Sequence, residues 1–224
     1  MMALRHSNEK ERQFMSKNRA FILTLCAAAI GTLGASTVRA DDDFHPHFKI
    51  YGGPAYVSAL NDEDITFGTV TDSLQTQDQV GWNLGIEGRF KFVGLEVDYV
   101  NANQDVDFGG STIGDTTFSP LTATVNFHLI PSSHFDLYLG PSYTWINWGD
   151  IDVDASSSGI TGGSTVGTDS SHGWGVSLGF DFSPWKHFAF TAGLKYLNAD
   201  LKLSNGQSSA MDPLMARLGV AARF

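Results

Sequence analysis

Thiol chemistry is nearly absent from this chain. Its one cysteine, Cys26, lies in an apolar run, residues 20–30 (AFILTLCAAAI), which follows Lys17 and Arg19 and precedes the small-residue exit GTLGASTVRA. A positive start, a short apolar core and small residues describe a secretory signal peptide covering 1–40, cleaved after Ala40 with Val38 at the minus-three position. Met15 is an alternative start. Once that segment is removed no thiol remains, which excludes a disulfide scaffold, a cysteine nucleophile and a thiolate metal site. Leu25 stands where lipoprotein processing wants a small residue, so Cys26 is no lipid anchor.

Basic residues are also scarce. The chain carries 14 Lys or Arg against 24 Asp or Glu, and the part after residue 40 keeps 8 against 22, a formal net charge of −14. Nucleic acid is therefore excluded as a partner. No apolar run is long enough for a membrane-spanning helix, and no amphipathic helix is visible after residue 47. Phosphate-binding glycine loops and zinc-protease motifs are missing too, and nothing points to a cofactor.

What is present is alternation with period two. Leu214, Ala216, Leu218, Val220, Ala222 and Phe224 share one parity, and Arg217 and Arg223 lie on the other. The same split recurs near 47–60, in 82–91, 93–99, 121–129 and 174–182, and in the segments from Phe135 and from Phe188. That makes eight segments, the right kind of number for a closed antiparallel barrel. The connections alternate long and short: 61–80 long, none at Phe92, 103–116 long, 131–134 short, 152–172 long, 183–187 short and 203–211 long.

The resulting expectation is an all-β, eight-stranded antiparallel transmembrane barrel over 47–224, polar inside and apolar outside, after a short periplasmic segment 41–46. Long loops would face outward and both termini the periplasm of a Gram-negative cell. Lys49, Glu87, Arg89, Lys91, Glu96, Asp98, Asp136, Asp181, Lys195, Arg217 and Arg223 would form a paired charge network plugging the narrow lumen, mostly in its periplasmic half. Phe90, Phe92, Phe127, Phe135, Trp185 and Phe188 would make the periplasmic aromatic girdle, and Tyr56, Trp82, Tyr99, Tyr143, Trp145 and Trp148 the outer one. Phe224 would serve as the signal read by outer-membrane insertion machinery.

Several pieces resemble the OmpW family of small outer-membrane proteins. They are Ser119-Pro120-Leu121-Thr122-Ala123-Thr124-Val125-Asn126-Phe127-His128, Tyr138-Leu139-Gly140-Pro141-Ser142-Tyr143-Thr144-Trp145, Gly173-Trp174-Gly175-Val176, Leu194-Lys195-Tyr196 with Asp200, and Met211-Asp212-Pro213 with Ala222-Arg223-Phe224. The fit is best over 118–224, and 47–110 fits by strand layout only. The resemblance implies a porin-like channel or site for small hydrophobic molecules, in contact with membrane lipid and lipopolysaccharide.

Two other functions stay open. One is a structural or surface-interaction barrel, whose outer loops carry Asp62, Glu63, Asp64, Asp72, Asp78, Asp105, Asp107, Asp115, Asp150, Asp152, Asp154 and Asp169. The other is a lipid A modifying enzyme, for which His172 beside Ser170 and Ser171, or His128 and His134 beside Ser132 and Ser133, are the residues to examine. His45 and His47 are the one pair with metal-ligand character. Neither set compels a catalytic or metal site, so the chain reads as no enzyme.

Overall fold

A computed structural model describes residues 47–224 apart from 61–62, 68–69, 109–110, 133, 154–164, 205 and 207. The expectations for the signal peptide, for 41–46, and for His45, Asp62 and Asp154 lie outside the described residues. Eight long strands form the molecule: β1 (His47–Ser58), β2 (Gln79–Phe90), β3 (Val93–Phe108), β4 (Ser111–His128), β5 (Phe135–Trp148), β6 (Ser171–Trp185), β7 (Phe188–Asn198) and β8 (Leu214–Arg223). Each pairs antiparallel with the next. β8 returns to β1 in the register Lys49↔Arg223 and Ala55↔Arg217, so the sheet closes and no long strand has a free edge. Phe48 and Phe224 exchange both backbone hydrogen bonds, at 3.2 and 2.9 Å, which sets both ends of the barrel chain at the end bearing the short turns.

The strands run further than the alternation suggests. The stretch 103–116, expected as a loop, is paired from Asn103↔Thr117 to Phe108↔Ser111. Val70–Thr76 adds to the same ladder through Leu74↔Phe108, and Asp200–Leu203 makes a small hairpin with Ser208–Ala210. An 18-residue strand such as β4 is roughly 60 Å long and, tilted about 40°, stands roughly 45 Å tall. An apolar belt is only about 25 Å tall. The long-loop end must therefore project well beyond it.

Side-chain polarity reverses where this projection begins. Along β3 the outward positions Leu95, Val97 and Tyr99 are followed by Asn101, Asn103, Asp105 and Asp107, while the inward positions Glu96 and Asp98 give way to Val100, Ala102, Gln104 and Val106. β4 and β5 reverse at the same level. Outward Leu121 and Trp145 are succeeded by Ser119 and Asn147, and inward Thr122 and Thr144 by Phe118 and Ile146. Below the level the barrel is apolar outside and polar inside, as hydrocarbon requires; above it β3, β4 and β5 turn polar side chains outward, as water requires, and pack mostly apolar ones inward, with Gln104 and Thr116 buried among them.

The expectation of a polar interior thus holds for the turn half only. In the loop half Val57, Val106, Phe118, Ile146, Leu197, Leu201 and Met211 pack into one buried cluster. Trp148 belongs to that cluster and not to the outer girdle. It is 5% exposed, its ring centroid lies 4.8 Å from that of Phe118, and its indole N–H donates to Ser171 Oγ at 3.0 Å. The parity that points outward at Trp145 carries Asn147 next, and so Trp148 faces in.

Candidate functional site: a lumen of ion pairs and an apolar belt

The turn half of the lumen holds a continuous set of ion pairs. Lys49 Nζ contacts Glu87 Oε2 at 2.6 Å and Asp181 Oδ2 at 2.9 Å, with the Tyr138 ring 4.6 Å away. The Tyr138 hydroxyl accepts from Lys49 at 3.2 Å and donates to Asp181 at 3.3 Å. Across the lumen, Arg217 grips Glu96 with two parallel hydrogen bonds of 3.0 and 2.9 Å and also donates to the Tyr51 hydroxyl. Lys195 pairs with Asp98 and lies 3.6 Å from Glu96. Asn126 joins the halves, donating to Glu87 at 3.1 Å and to Glu96 at 3.3 Å.

The third part lies nearest the short turns. Arg89 pairs with Asp136, and His128 sits between two carboxylates, with Nδ1 2.9 Å from Asp136 and Nε2 3.0 Å from Glu87. A neutral imidazole has one N–H and could serve only one of them as donor, so full pairing requires the imidazolium. The charges then match: Glu87, Glu96, Asp98, Asp136 and Asp181 face Lys49, Arg89, Lys195, Arg217 and His128. Charge buried this deeply is tolerable only when paired.

Of the eleven charges expected in the lumen, Lys49, Glu87, Glu96, Asp98, Asp136, Asp181, Lys195 and Arg217 are buried. Arg89 is half-buried on Asp136, and Arg223 is half-buried and donates to Ser183 Oγ. Lys91 is the exception: it is exposed in the two-residue turn between β2 and β3, with φ 55°, because the strand ends one residue before the lumen parity reaches it. The list also missed His128, Tyr51, Tyr138 and Asn126. The signal for them was present, since all four stand on the polar parity of their strands.

Glycines make room for the two tyrosines. A Cβ on Gly85 would lie 2.3 Å from the Tyr51 ring, and one on Gly179 would lie 2.1 Å from the Tyr138 ring. Each tyrosine therefore lies flat over a glycine of a neighbouring strand, and only glycine allows that approach.

The outside of the turn half is apolar. Phe48, Ile50, Leu84, Ile86, Leu95, Val97, Val125, Leu178, Phe182, Leu194, Leu218 and Val220 are all exposed. Of the aromatic residues expected in girdles, Tyr56, Trp82, Phe90, Phe92, Phe127, Phe135, Tyr143, Trp145 and Trp185 are exposed, and Tyr99 and Phe188 are half-buried. Tyr143 and Trp145 meet edge to face with centroids 4.9 Å apart, and Trp82 and Tyr99 lie 5.4 Å apart. Phe224 is exposed at the turn end.

Of the residues weighed for catalysis, Ser133 lies outside the described residues, and His128, Ser132 and His172 make other contacts. His128 belongs to the lumen network. Ser132 Oγ donates to the carbonyl of Phe135 and accepts from its N–H, closing the turn. His172 is exposed and stacks on Tyr143 at 6.1 Å. Among the described residues no three His, Cys, Asp or Glu side chains converge as metal ligands would. Above the belt, hydrogen bonds from Ser58 and Tyr56 hold the Asp78 carboxyl below its usual range.

An exposed apolar belt around a closed barrel whose charges are paired inside defines a membrane-spanning β-barrel. The chain belongs to the outer membrane protein beta-barrel domain family, whose model matches residues 25–224. No curated protein matches it. Similar solved structures include Neisserial surface protein A, with TM-score 0.50 and 15% identity over 80% of this chain and 95% of that one. Outer membrane protein W of Escherichia coli is another, with TM-score 0.47 and 17% identity over 81% of this chain and all of that one. The attachment invasion locus protein Ail of Yersinia pestis gives 0.45 and 17% over 80% and 99%. The protein is thus an outer-membrane barrel of the Gram-negative envelope, surrounded by lipid and lipopolysaccharide.

Proposed function

We propose that the protein is a closed barrel that conducts nothing along its axis and acts through its projecting, acidic end as a structural or surface-interaction protein. The observation that carries this reading is what lies inside the barrel: ion pairs in the turn half and a packed apolar cluster in the loop half. Water and ions would have to cross both. The projecting end supports the second part of the reading, because its outward side chains include Asp105, Asp107, Asp115, Asn103 and Asn147. The orientation proposed with it puts both termini and the short turns in the periplasm, and leaves Phe224 for the insertion machinery.

Planar-bilayer recordings on refolded protein test the closed lumen, with no steps above the bilayer background expected. Stable unitary conductance would overturn it. A protease site inserted between Phe108 and Ser111 should be cut on intact cells, and protection there would reverse the orientation. Deleting 155–168 should abolish surface interactions while the barrel stays heat-modifiable on gels.

A second reading, binding of a small hydrophobic molecule, is favoured by the apolar composition of the loop-half interior. Naphthalene titrated against the Trp148→Phe variant and the parent separates the two readings. An emission change that depends on Trp148 supports binding, and its absence leaves the cluster as the core of the projection.

A further inference from the structure

The barrel is polar in charge as well as in hydropathy. Among the described residues the exposed or half-buried ionisable side chains at the turn end are His47, Arg89, Lys91, His134, Lys186, His187 and Arg223. Every acidic side chain there, Glu87, Asp136 and Asp181, is buried in the ion-pair network. On this basic rim the outer wall carries an apolar groove of about 450 Å³, running past Phe48, Gly88, Phe90, Phe92 and Leu95, with Lys91 at its edge. Gly88 makes the groove. It stands on the outward parity between Ile86 and Phe90, where neighbours on the same face carry large side chains, and its missing side chain leaves the slot open.

Lys91 is held at the edge against the preference of its backbone. Its φ of 55° belongs to the left-handed region, where an L side chain is costly and a turn of this length normally uses glycine. A residue kept in a disfavoured conformation at the rim of a groove points to a role for its side chain. Arg89 cannot share that role, because its guanidinium is turned inward onto Asp136.

We propose that this groove seats one anionic diacyl phospholipid, with an acyl chain laid along Gly88 between Phe48, Phe90 and Leu95 and the headgroup phosphate held by Lys91 under the positive field of the turn end. The occupant follows from charge and place: an apolar slot at the edge of the lipid belt, with an ammonium group beside it and a rim whose exposed ionisable side chains are basic, fits a molecule with two apolar tails and one negative head. The inference rests on the orientation proposed above, which sets the turn end in the phospholipid leaflet. Its test does not depend on orientation.

Native mass spectrometry of the refolded barrel in detergent, with equimolar phosphatidylglycerol and phosphatidylcholine of the same chains, reads retention directly. The parent should retain one phosphatidylglycerol in preference to phosphatidylcholine. Lys91→Gly removes the ammonium while easing the turn, so it cannot fail through misfolding, and should weaken phosphatidylglycerol retention about fivefold, one basic side chain's worth near a membrane surface, while leaving phosphatidylcholine unchanged. Gly88→Leu fills the slot from the lipid side, where the nearest atom to a new Cβ is a Phe48 ring carbon at 3.4 Å, and should lower retention of both lipids. Heat-modifiability on gels confirms that each variant is folded. Equal retention of the two lipids by the parent, unchanged phosphatidylglycerol retention in Lys91→Gly, or complete displacement by inorganic phosphate or by lipid A would each overturn the proposal. Failure of the protease test with this result intact would overturn only the orientation.

Discussion

Arg217 and Glu96 show what single residues contribute here. They are remote in sequence and lie on strands that are not neighbours, β8 and β3, yet they meet across the lumen in a two-pronged contact with both side chains almost fully buried. Removing one partner leaves a charge without water or counter-charge, so Arg217→Met should cost about 3–5 kcal/mol, and the double variant Arg217→Met/Glu96→Met should recover much of that loss. Urea unfolding in detergent micelles measures both. If the double variant is no better than the single one, the pair is not acting as a unit. His128 offers a second check at this scale. Nitrogen NMR at pH 7 should find protons on both Nδ1 and Nε2, since both face carboxylates; a single-proton tautomer would contradict the pairing. The polar parity in the sequence already placed Lys49, Glu96 and Arg217 on one face. Which cation meets which carboxylate was not legible, because contacts across a lumen depend on strand tilt and ladder register, and alternation carries neither.

Strands 3, 4 and 5 explain why the sequence placed eight strands well and their outer ends poorly. Alternation is plain to Tyr99 and again from Leu121, and the sequence suggests a loop at 103–116, where apolar residues in fact change parity within a continuing strand. The change is real but is not a strand end. It marks the level at which the outside passes from lipid to water and the favourable face for apolar side chains moves inside. Trp148 was misplaced for the same reason, and Lys91 for the opposite one, a strand extended past its turn. Two tryptophans three residues apart in β5 make the level measurable. In brominated-lipid vesicles Trp145, exposed at the boundary, should be strongly quenched. Trp148, sealed against Phe118, should emit to the blue and stay largely unquenched. Single-tryptophan variants read each one separately, and similar quenching of both would show that the reversal does not mark the membrane boundary.

The whole molecule is two cores stacked in one sheet. A network of charge fills the part surrounded by lipid, and aliphatic and aromatic side chains fill the part surrounded by water. Thr122 and Thr144, hydrogen-bonded to each other at 3.0 Å, lie where one passes into the other. Since the inner halves are held by different forces, they should fail independently. Replacing 103–116 with a two-residue turn removes Val106 and Ile113, both buried in the upper cluster, and should cost roughly 3–6 kcal/mol at 1.5–3 kcal/mol for each side chain. It leaves every residue of the ion-pair network in place, so the shortened chain should still insert, still shift on unheated gels, and keep the NMR signature of a doubly protonated His128. Arg217→Met should do the reverse, loosening the lipid-embedded half while the emission of Trp148 stays blue. If the shortened chain fails to insert, the projecting core is a condition of assembly and the two halves form one cooperative unit.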